Sequence, residues 1–377
     1  MDISKIALSL FFTKSINLDS WAKEGSMQRE LLIYNRLADY LNSVNFVTYG
    51  GKKDYQYRGQ IGNINLCAVE RHVTTVQNFL DLLVRHKDIL RKSDIYKTHQ
   101  IRGAEVPILA KKIYGKKLVV RCGYLLNFFA PRTTDNRFTR EKAIRLEKRA
   151  FASADMGVVT SAWQREIVIK EYKIPAQKIK VIPNCIIPEV FRPIPHAEKE
   201  YDLVYVGRGA SQKNLMNLLE ALNFLKLHGK NISFLMIGAC SSKEEILKKV
   251  KEYSLNVEFK KNIPNTELPC YLNKARVFIL PSYYEGHPKS LLEAMCCGLP
   301  CIGTDVDGIK QDIQHLQTGY LCKTDYESLA AAIENFLSDE ILLGKTGKNA
   351  REYVIENYSI DRVLKMELEM IEEVMDK

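Results

Sequence analysis

No apolar run in this sequence approaches the ~18–20 residues that a membrane-crossing helix requires, so no stretch of it reads as a spanning segment. The stretch Ile3–Phe12 is short, follows Asp2 and lacks a small-residue cleavage site. It reads as a first strand rather than a secretory leader, and the protein is expected in the cytoplasm. Repeats and low-complexity segments are lacking, which excludes solenoids and disordered arrays. The nine cysteines (Cys67, Cys122, Cys185, Cys240, Cys270, Cys296, Cys297, Cys301 and Cys322) are odd in number and scattered, often inside apolar runs. That pattern excludes a disulfide scaffold and suits reduced thiols packed as small core residues. Cys296, Cys297 and Cys301 have no fourth ligand at zinc-like spacing, so no metal is expected. Gly207-x-Gly209 lacks the third glycine of a dinucleotide fingerprint.

What is present is a chain of 377 residues, 46% apolar, long enough for two globular domains. The net charge of +10 is uneven: residues 1–183 carry +15, of which residues 101–150 hold +9, and residues 184–377 carry −5. A basic half beside a mildly acidic half points to an anionic partner for the first half. Anionic lipid headgroups lead, an acidic glycan follows and nucleic acid comes last; the alternative is a solvated charged surface.

The chain is organised around Val277–Thr304. Val277–Leu280 has the length and branching of a buried strand, stopped by Pro281 and Ser282. Glu285, Gly286 and Pro288 make a tight loop, and Ser290 opens a helix with Leu291, Leu292, Ala294 and Met295 on its apolar face. Gly298 and Pro300 end it, and Cys301 and Ile302 begin another buried run. This is a β-α-β unit whose loop lies where parallel sheets hold ligands. Unpaired amides at the helix start favour a phosphate. Glu285 and Glu293, eight residues apart across the loop, can accept hydrogen bonds from vicinal hydroxyls. Two sugars flanking a pyrophosphate fit this arrangement. Equally, Ser290-x-x-Glu293 has the form of a capping box, in which Glu293 caps its own helix.

The pattern E-G-x-P-x-x-x-x-E-A-M-x-x-G-x-P resembles the signature of the family 4 retaining glycosyltransferases, which share the two-domain GT-B fold. The resemblance spans most of the chain, with specific motifs from about residue 181 onward. It implies two doubly wound Rossmann-like α/β domains facing a cleft: residues 1–183, basic and acceptor-binding; residues 184–357, binding the nucleotide sugar; and a helix over 358–377 returning to the first domain. Pro183 to Pro195, with four prolines in thirteen residues, reads as the linker.

In the second domain, Tyr201–Arg208 reads as a strand followed by G-A-S-Q-K-N. This places Arg208 and Lys213 on a loop where phosphates bind. The pattern G-R-x-x-x-x-K resembles the family's diphosphate clamp, with Gly207 as its turn. Val257–Pro264 resembles the base-binding loop, with the main chain of Asn262 and Ile263 against the nucleobase. The resemblance assigns Glu293 to the ribose. It assigns Glu285 and the loop Gly286, His287, Pro288 and Lys289 to the sugar, and the amides of Ser290 and Leu291 to the diphosphate. Asp305-x-Asp307 lacks the single-domain context of a metal-binding D-x-D.

In the first domain, relatives place a glycine loop near Gly25, which here is either that loop or an ordinary turn. They place a histidine where this chain reads Arg121-Cys122-Gly123-Tyr124. Arg121 either meets an anionic sugar or phosphate or merely tops a strand, and Tyr124 lies beside it. Val76–Val84 reads as an apolar helix face. Phe138–Ser153 reads as an amphipathic helix with Ile144, Leu146 and Phe151 on its apolar side.

The implied activity is transfer of a sugar from a nucleoside-diphosphate sugar to an acceptor hydroxyl, with retention and without metal or other cofactor. The expected acceptor is a glycan or lipid-linked glycan of the cell envelope, met at the inner membrane face. The rival is a non-catalytic GT-B-like protein that binds a nucleotide or an anionic polymer; the absent histidine and the basic half favour it, and the four charged residues of the second domain oppose it.

Overall fold

The structure, a computed structural model, describes residues 2–14, 16–72, 74–238, 244–261 and 263–376. The chain divides into two units: Met1–Pro183 with Val363–Lys377, and Asn184–Arg362. Each is an α/β unit built on a wholly parallel sheet.

The first sheet contains β1 (Ala7–Phe11), β2 (Ser43–Thr48), β3 (Ile64–Ala68), β4 (Ile95–Thr98), β5 (Lys117–Cys122), β6 (Met156–Val159) and β7 (Ile179–Val181). Their order is β3-β2-β1-β4-β5-β6-β7. The strands are short apolar runs rather than alternating ones, because helices cover both faces of a parallel sheet. Every residue of β1, β4 and β6 is buried.

The second sheet contains β8 (Tyr201–Val206), β9 (Phe234–Ile237), β10 (Val257–Lys260), β11 (Ala275–Leu280), β12 (Cys301–Thr304) and β13 (Tyr320–Cys322), ordered β10-β9-β8-β11-β12-β13. The order reverses between β8 and β11, so the loops after these two strands flank the topological switch point. Val277, Phe278, Ile279 and Leu280 of β11 are fully buried. Of the described cysteines, all are free thiols, and Cys296, Cys297, Cys301 and Cys322 lie buried in this core. Burial pushes the Cys296 thiol up to about 12, which suits a packing role.

The return to the first unit falls at Arg362/Val363 rather than at 358, because Tyr358–Ile360 pairs with the start of the second unit. Ile186 N donates to Tyr358 O at 2.8 Å, and Ile360 N donates to Ile186 O at 2.9 Å. Past that point the helix Ile360–Asp376 docks by charge within the first unit. Lys97 Nζ lies 2.5 Å from Glu367 Oε2, Arg121 Nη1 lies 3.6 Å from Glu367 Oε1, and Lys180 pairs with Glu373. Lys97 and Glu367 are almost wholly buried.

Two helix faces differ from expectation. In the helix Thr75–Lys92 the buried residues are Asn78, Phe79, Leu82 and Leu90, while Val76 and Val84 are 59% and 85% exposed. The apolar positions there form two stripes, and only the one carrying the aromatic ring meets the sheet. In the helix Arg137–Ser153 the buried residues are Glu147, Ala150 and Phe151, and Ile144 and Leu146 are only half-buried.

Candidate active site

The loop after β8 and the loop after β11 are laced together. Asn214, buried and in the left-handed region at φ 54°, donates from Nδ2 to Pro281 O at 3.0 Å and to Thr324 O at 2.7 Å. Asparagine tolerates that backbone better than most residues. Tyr283 N donates to Gln212 O at 2.9 Å, and Gln212 Nε2 donates to Tyr284 O at 2.7 Å. Tyr205 OH reaches forward to Arg208 O at 3.0 Å. A side chain at Gly207 would meet that tyrosine hydroxyl, and one at Gly238 would meet Gly207 O; both glycines serve close backbone packing.

This lacing brings Lys213 and Glu285 together. Lys213 Nζ lies 2.5 Å from Glu285 Oε1. Ser282 Oγ donates to the same oxygen at 2.6 Å, and Gln212 Nε2 reaches Oε2 at 3.4 Å. Glu285 is 6% exposed. A carboxylate has about four lone-pair positions, and three of these are engaged, leaving room on Oε2 for one more donor such as a hydroxyl. An ammonium has three N–H groups, so Lys213 keeps donors beyond the one aimed at Glu285. The pair is nearly neutral as a unit. Arg208 differs: it is exposed, and its side chain has no hydrogen-bond or ion-pair partner among the described residues.

Glu293 lies in the helix Lys289–Cys296 and is 2% exposed. The N-cap is Pro288, which has no side-chain acceptor and makes no capping bond. The capping-box reading of Ser290 and Glu293 is therefore overturned: proline ends the loop two residues before Ser290, so both residues lie inside the helix. Glu293 Oε1 instead accepts Asn265 Nδ2 at 3.0 Å. Asn265 is buried and follows β10, so the loop after β10 is tied to the helix after β11. Leu291 is also corrected. Its amide donates to Pro288 O at 3.2 Å and its side chain is fully buried, so the amide is engaged within the helix start. The Ser290 amide has no partner among the described residues and is the open donor at this helix start.

Gly286, His287 and Pro288 are buried, and Lys289 is half-buried. A side chain at Gly308 would strike Glu285 O and Gly286 O, so that glycine lets the turn Asp307–Lys310 close against the loop. Asp307 pairs with Lys310 at 2.9 Å. Ile263 is half-buried against the core; Asn262 lies outside the described residues.

The first-unit candidates fare differently. Arg121 closes on Glu367 and donates to Ile182 O at 3.3 Å. Its guanidinium is thus engaged by the C-terminal helix and the Ile182 carbonyl, which favours the reading in which it tops the strand. Tyr124 is 39% exposed and stacks on Phe129 at 3.8 Å. Gly25 has φ 68° and follows the helix Leu18–Lys23. That is an ordinary helix-ending turn. Below the 123–125 loop lies Glu147, fully buried. It accepts Asn127 N at 3.2 Å, Tyr172 OH at 2.5 Å and the Leu126 amide. Burial raises its carboxyl pKa despite these donors.

Sequence reasoning missed Gln212, Asn214, Asn265 and Ser282. Amides and hydroxyls in loops are common, and only Asn214, standing just before a helix, carried a local signal.

Two family models match consecutive stretches of the chain: Glycosyltransferase Family 4 over residues 35–190 and Glycosyl transferases group 1 over residues 187–353. The Escherichia coli UDP-Gal:alpha-D-GlcNAc-diphosphoundecaprenol alpha-1,3-galactosyltransferase is 25% identical over 325 residues, 80% of this chain and 82% of that protein. The Staphylococcus aureus capsular polysaccharide biosynthesis glycosyltransferase CapM is 28% identical over 171 residues, 44% of each chain. Among solved structures, Anabaena HepE in complex with UDP and glucose superposes with a TM-score of 0.80 at 15% identity, over 98% of this chain and 100% of that one. The sucrose-phosphate synthase of Thermosynechococcus elongatus gives 0.78 at 19% identity, over 98% and 99%.

Proposed function

The chain belongs to the family 4 glycosyltransferases and has their GT-B fold, and from that premise we propose that its second unit binds a nucleoside-diphosphate sugar and transfers the sugar with retention to an acceptor hydroxyl. The observation that carries this reading is the pairing of two acid-centred clusters at the switch point: Lys213–Glu285 after β8 and β11, and Asn265–Glu293 after β10 and β11. In this reading Glu293, oriented by Asn265, takes the ribose hydroxyls. The loop after β10, with Asn262 and Ile263, takes the base edge. Glu285, with Gly286, Pro288 and Lys289, takes the sugar hydroxyls through its remaining lone pair.

The bond from the anomeric carbon to the phosphate oxygen breaks with its electron pair passing to the diphosphate. Arg208, the remaining donors of Lys213 and the Ser290 amide stabilise that growing charge. The acceptor oxygen forms its new bond on the face the diphosphate leaves, and the acceptor proton passes to a diphosphate oxygen. Cationic side chains and an amide suffice for the neutralisation, so this route needs no metal. Because Glu285 offsets Lys213, Arg208 supplies most of the uncompensated positive charge.

For the acceptor we infer an envelope glycan carried on a lipid, since the E. coli relative acts, by its name, on a diphosphoundecaprenol-linked sugar. No helix among the described residues is long and apolar enough to cross a membrane. The basic stretch narrows in this reading, because Lys111 and Lys116 pair with Asp155 and Asp94. Exposed cations remain at Arg102, Lys112 and Arg132 and along the helix Arg137–Ser153, where Arg137 and Arg145 pair with Glu141 and Phe138 is 84% exposed. Beside it Lys142 and Arg145 line a shallow groove of about 500 Å³. An aromatic ring amid cations suits an anionic bilayer surface.

The test of the transfer reading is a thermal-shift panel of nucleoside-diphosphate sugars, followed by turnover of the best stabiliser without acceptor. Slow hydrolysis, lost in Lys213→Ala, supports transfer; UDP binding without turnover across an acceptor screen supports the non-catalytic alternative. For the surface, sedimentation with phosphatidylserine vesicles should fall about tenfold in Phe138→Ala with Lys142→Ala and should weaken as salt rises. Binding indifferent to lipid charge removes the membrane from the reading.

A further inference from the structure

His287 sits in the loop between Glu285 and Ser290, yet its ring faces inward, 6% exposed. Asn184, the first residue of the second unit, grips it twice: its backbone N–H donates to His287 Nδ1 at 3.1 Å, and its side-chain Nδ2 donates to His287 O at 2.8 Å. A backbone amide can only donate, so Nδ1 is the unprotonated nitrogen and the ring proton sits on Nε2. Nε2 faces Asp312 Oδ2 at 3.5 Å. Asp312 is fully buried, and its other oxygen accepts Tyr358 OH at 2.7 Å. The Tyr358 ring stands edge-on to the imidazole at 5.0 Å and 72°. Tyr358 in turn is bound through its carbonyl to Ile186 N at 2.8 Å. The His287 residue thus bonds the loop to the passage at 184–186, and its ring packs against Tyr358 at the passage 358–360.

We propose that His287 is a positioning residue: with Nδ1 unprotonated it clamps the Glu285–Ser290 loop to the passage at 184–186, and protonation at Nδ1 releases the clamp. This rests on the proposed function, in which that loop presents Glu285 and the Ser290 amide to the donor. Protonation would point a ring N–H at the Asn184 N–H, replacing a hydrogen bond with two opposed donors. The titratable groups around the ring are Asp312 after the turn Asp307–Lys310, Tyr358 and Tyr353 on the helix Glu340–Tyr358, and Glu285 and Lys289 on its own loop. Of these, the Asp312 carboxylate is the one with an oxygen 3.5 Å from Nε2. Tyr358 stays neutral, because burial and the Asp312 carboxylate hold its hydroxyl protonated.

The test compares the full-length wild type with His287→Asn and Asp312→Asn. Asparagine places an acceptor where Nδ1 stood but does not titrate. The first readout is hydrogen exchange of amides 184–187 and 285–290 with UDP bound, which requires no turnover. Taking the protein from about pH 8 to about pH 5.5 should loosen these amides about tenfold beyond the intrinsic pH trend in the wild type, and not in His287→Asn. The second readout is the pH profile of nucleotide-sugar turnover. The wild type should show an acid limb in kcat that is flattened in His287→Asn and kept in Asp312→Asn, with UDP affinity at about pH 8 within about twofold throughout. An acid limb and an exchange profile alike in all three proteins overturn the proposal. A wild type that binds UDP but turns over no nucleotide sugar defeats the functional reading instead, and the exchange comparison then decides this one alone.

Discussion

Lys213 and Glu285 offset one another across 2.5 Å in a largely buried setting, so removing either changes the sign of the local field. In Glu285→Gln, UDP should bind several-fold tighter, because Lys213 is then uncompensated, while nucleotide-sugar turnover falls about a hundredfold with the loss of the sugar contact. In Lys213→Ala, both UDP affinity and kcat should fall, kcat by about 10²–10³. Isothermal titration with UDP beside steady-state kinetics separates the two cases, and tighter UDP binding in Lys213→Ala would contradict the assignment. Asn265 touches Glu293 and no reacting group in this reading. Asn265→Ala should raise KM for the nucleotide sugar about tenfold with kcat within about twofold, the mark of lost uniform binding. Glu285 and Glu293 were legible in the sequence because they belong to a long patterned motif. Asn265 was not, because an amide in a loop has no meaning until its partner, 28 residues away, is known to be adjacent.

At the scale of elements, two buried carboxylates hold the first unit together, and both sit on helices whose sequences read as charged surface. Glu367, on the helix Ile360–Asp376, meets Lys97 and Arg121. Burial holds the Lys97 ammonium below its ordinary pKa even so. Glu367→Ala leaves two buried cations without their anion and should lower stability by about 3–5 kcal/mol, read as a urea midpoint. Lys97→Met with Glu367→Met should recover most of that loss. Glu147, on the helix Arg137–Ser153, ends on the amides that open the helix Leu126–Thr133. Its carboxyl is raised by burial, so the folded chain keeps a proton that the unfolded chain releases. Between the ordinary carboxylate value and the raised one, its contribution to stability therefore declines as pH rises. In Glu147→Gln that part of the pH dependence of the urea midpoint should vanish; an unchanged slope would mean that the carboxylate is already ionised in the fold. Neither carboxylate could be singled out by periodicity, since Lys97 is 270 residues from its partner and Glu147 follows Leu146 in a run of basic residues.

Across the whole molecule, charge and family match divide between the halves: +15 on residues 1–183, and the Glycosyl transferases group 1 match over residues 187–353. UDP at about a hundredfold over its Kd should raise exchange protection in β8 to β13 by about 2.7 kcal/mol. A gain confined to the first sheet would mean that the nucleotide sits elsewhere. The order of residues by itself determined two parallel α/β units, the strand–loop–helix at 275–296, the placing of Glu285, Arg208 and Lys213 on loops at sheet ends and that of Glu293 in the helix that follows. Apolar runs, glycine–proline stops and the long motif are local signals, and local signals survive without coordinates. Only the tertiary structure decided which of those charges meet: that Lys213 faces Glu285, that Arg121 turns to Glu367, that Pro288 displaces the capping box, and that His287 looks inward to Asn184 and Asp312. The physical reason is that hydrogen bonds and ion pairs act over a few ångströms, and the partners here are brought within reach by strand order rather than by distance along the chain.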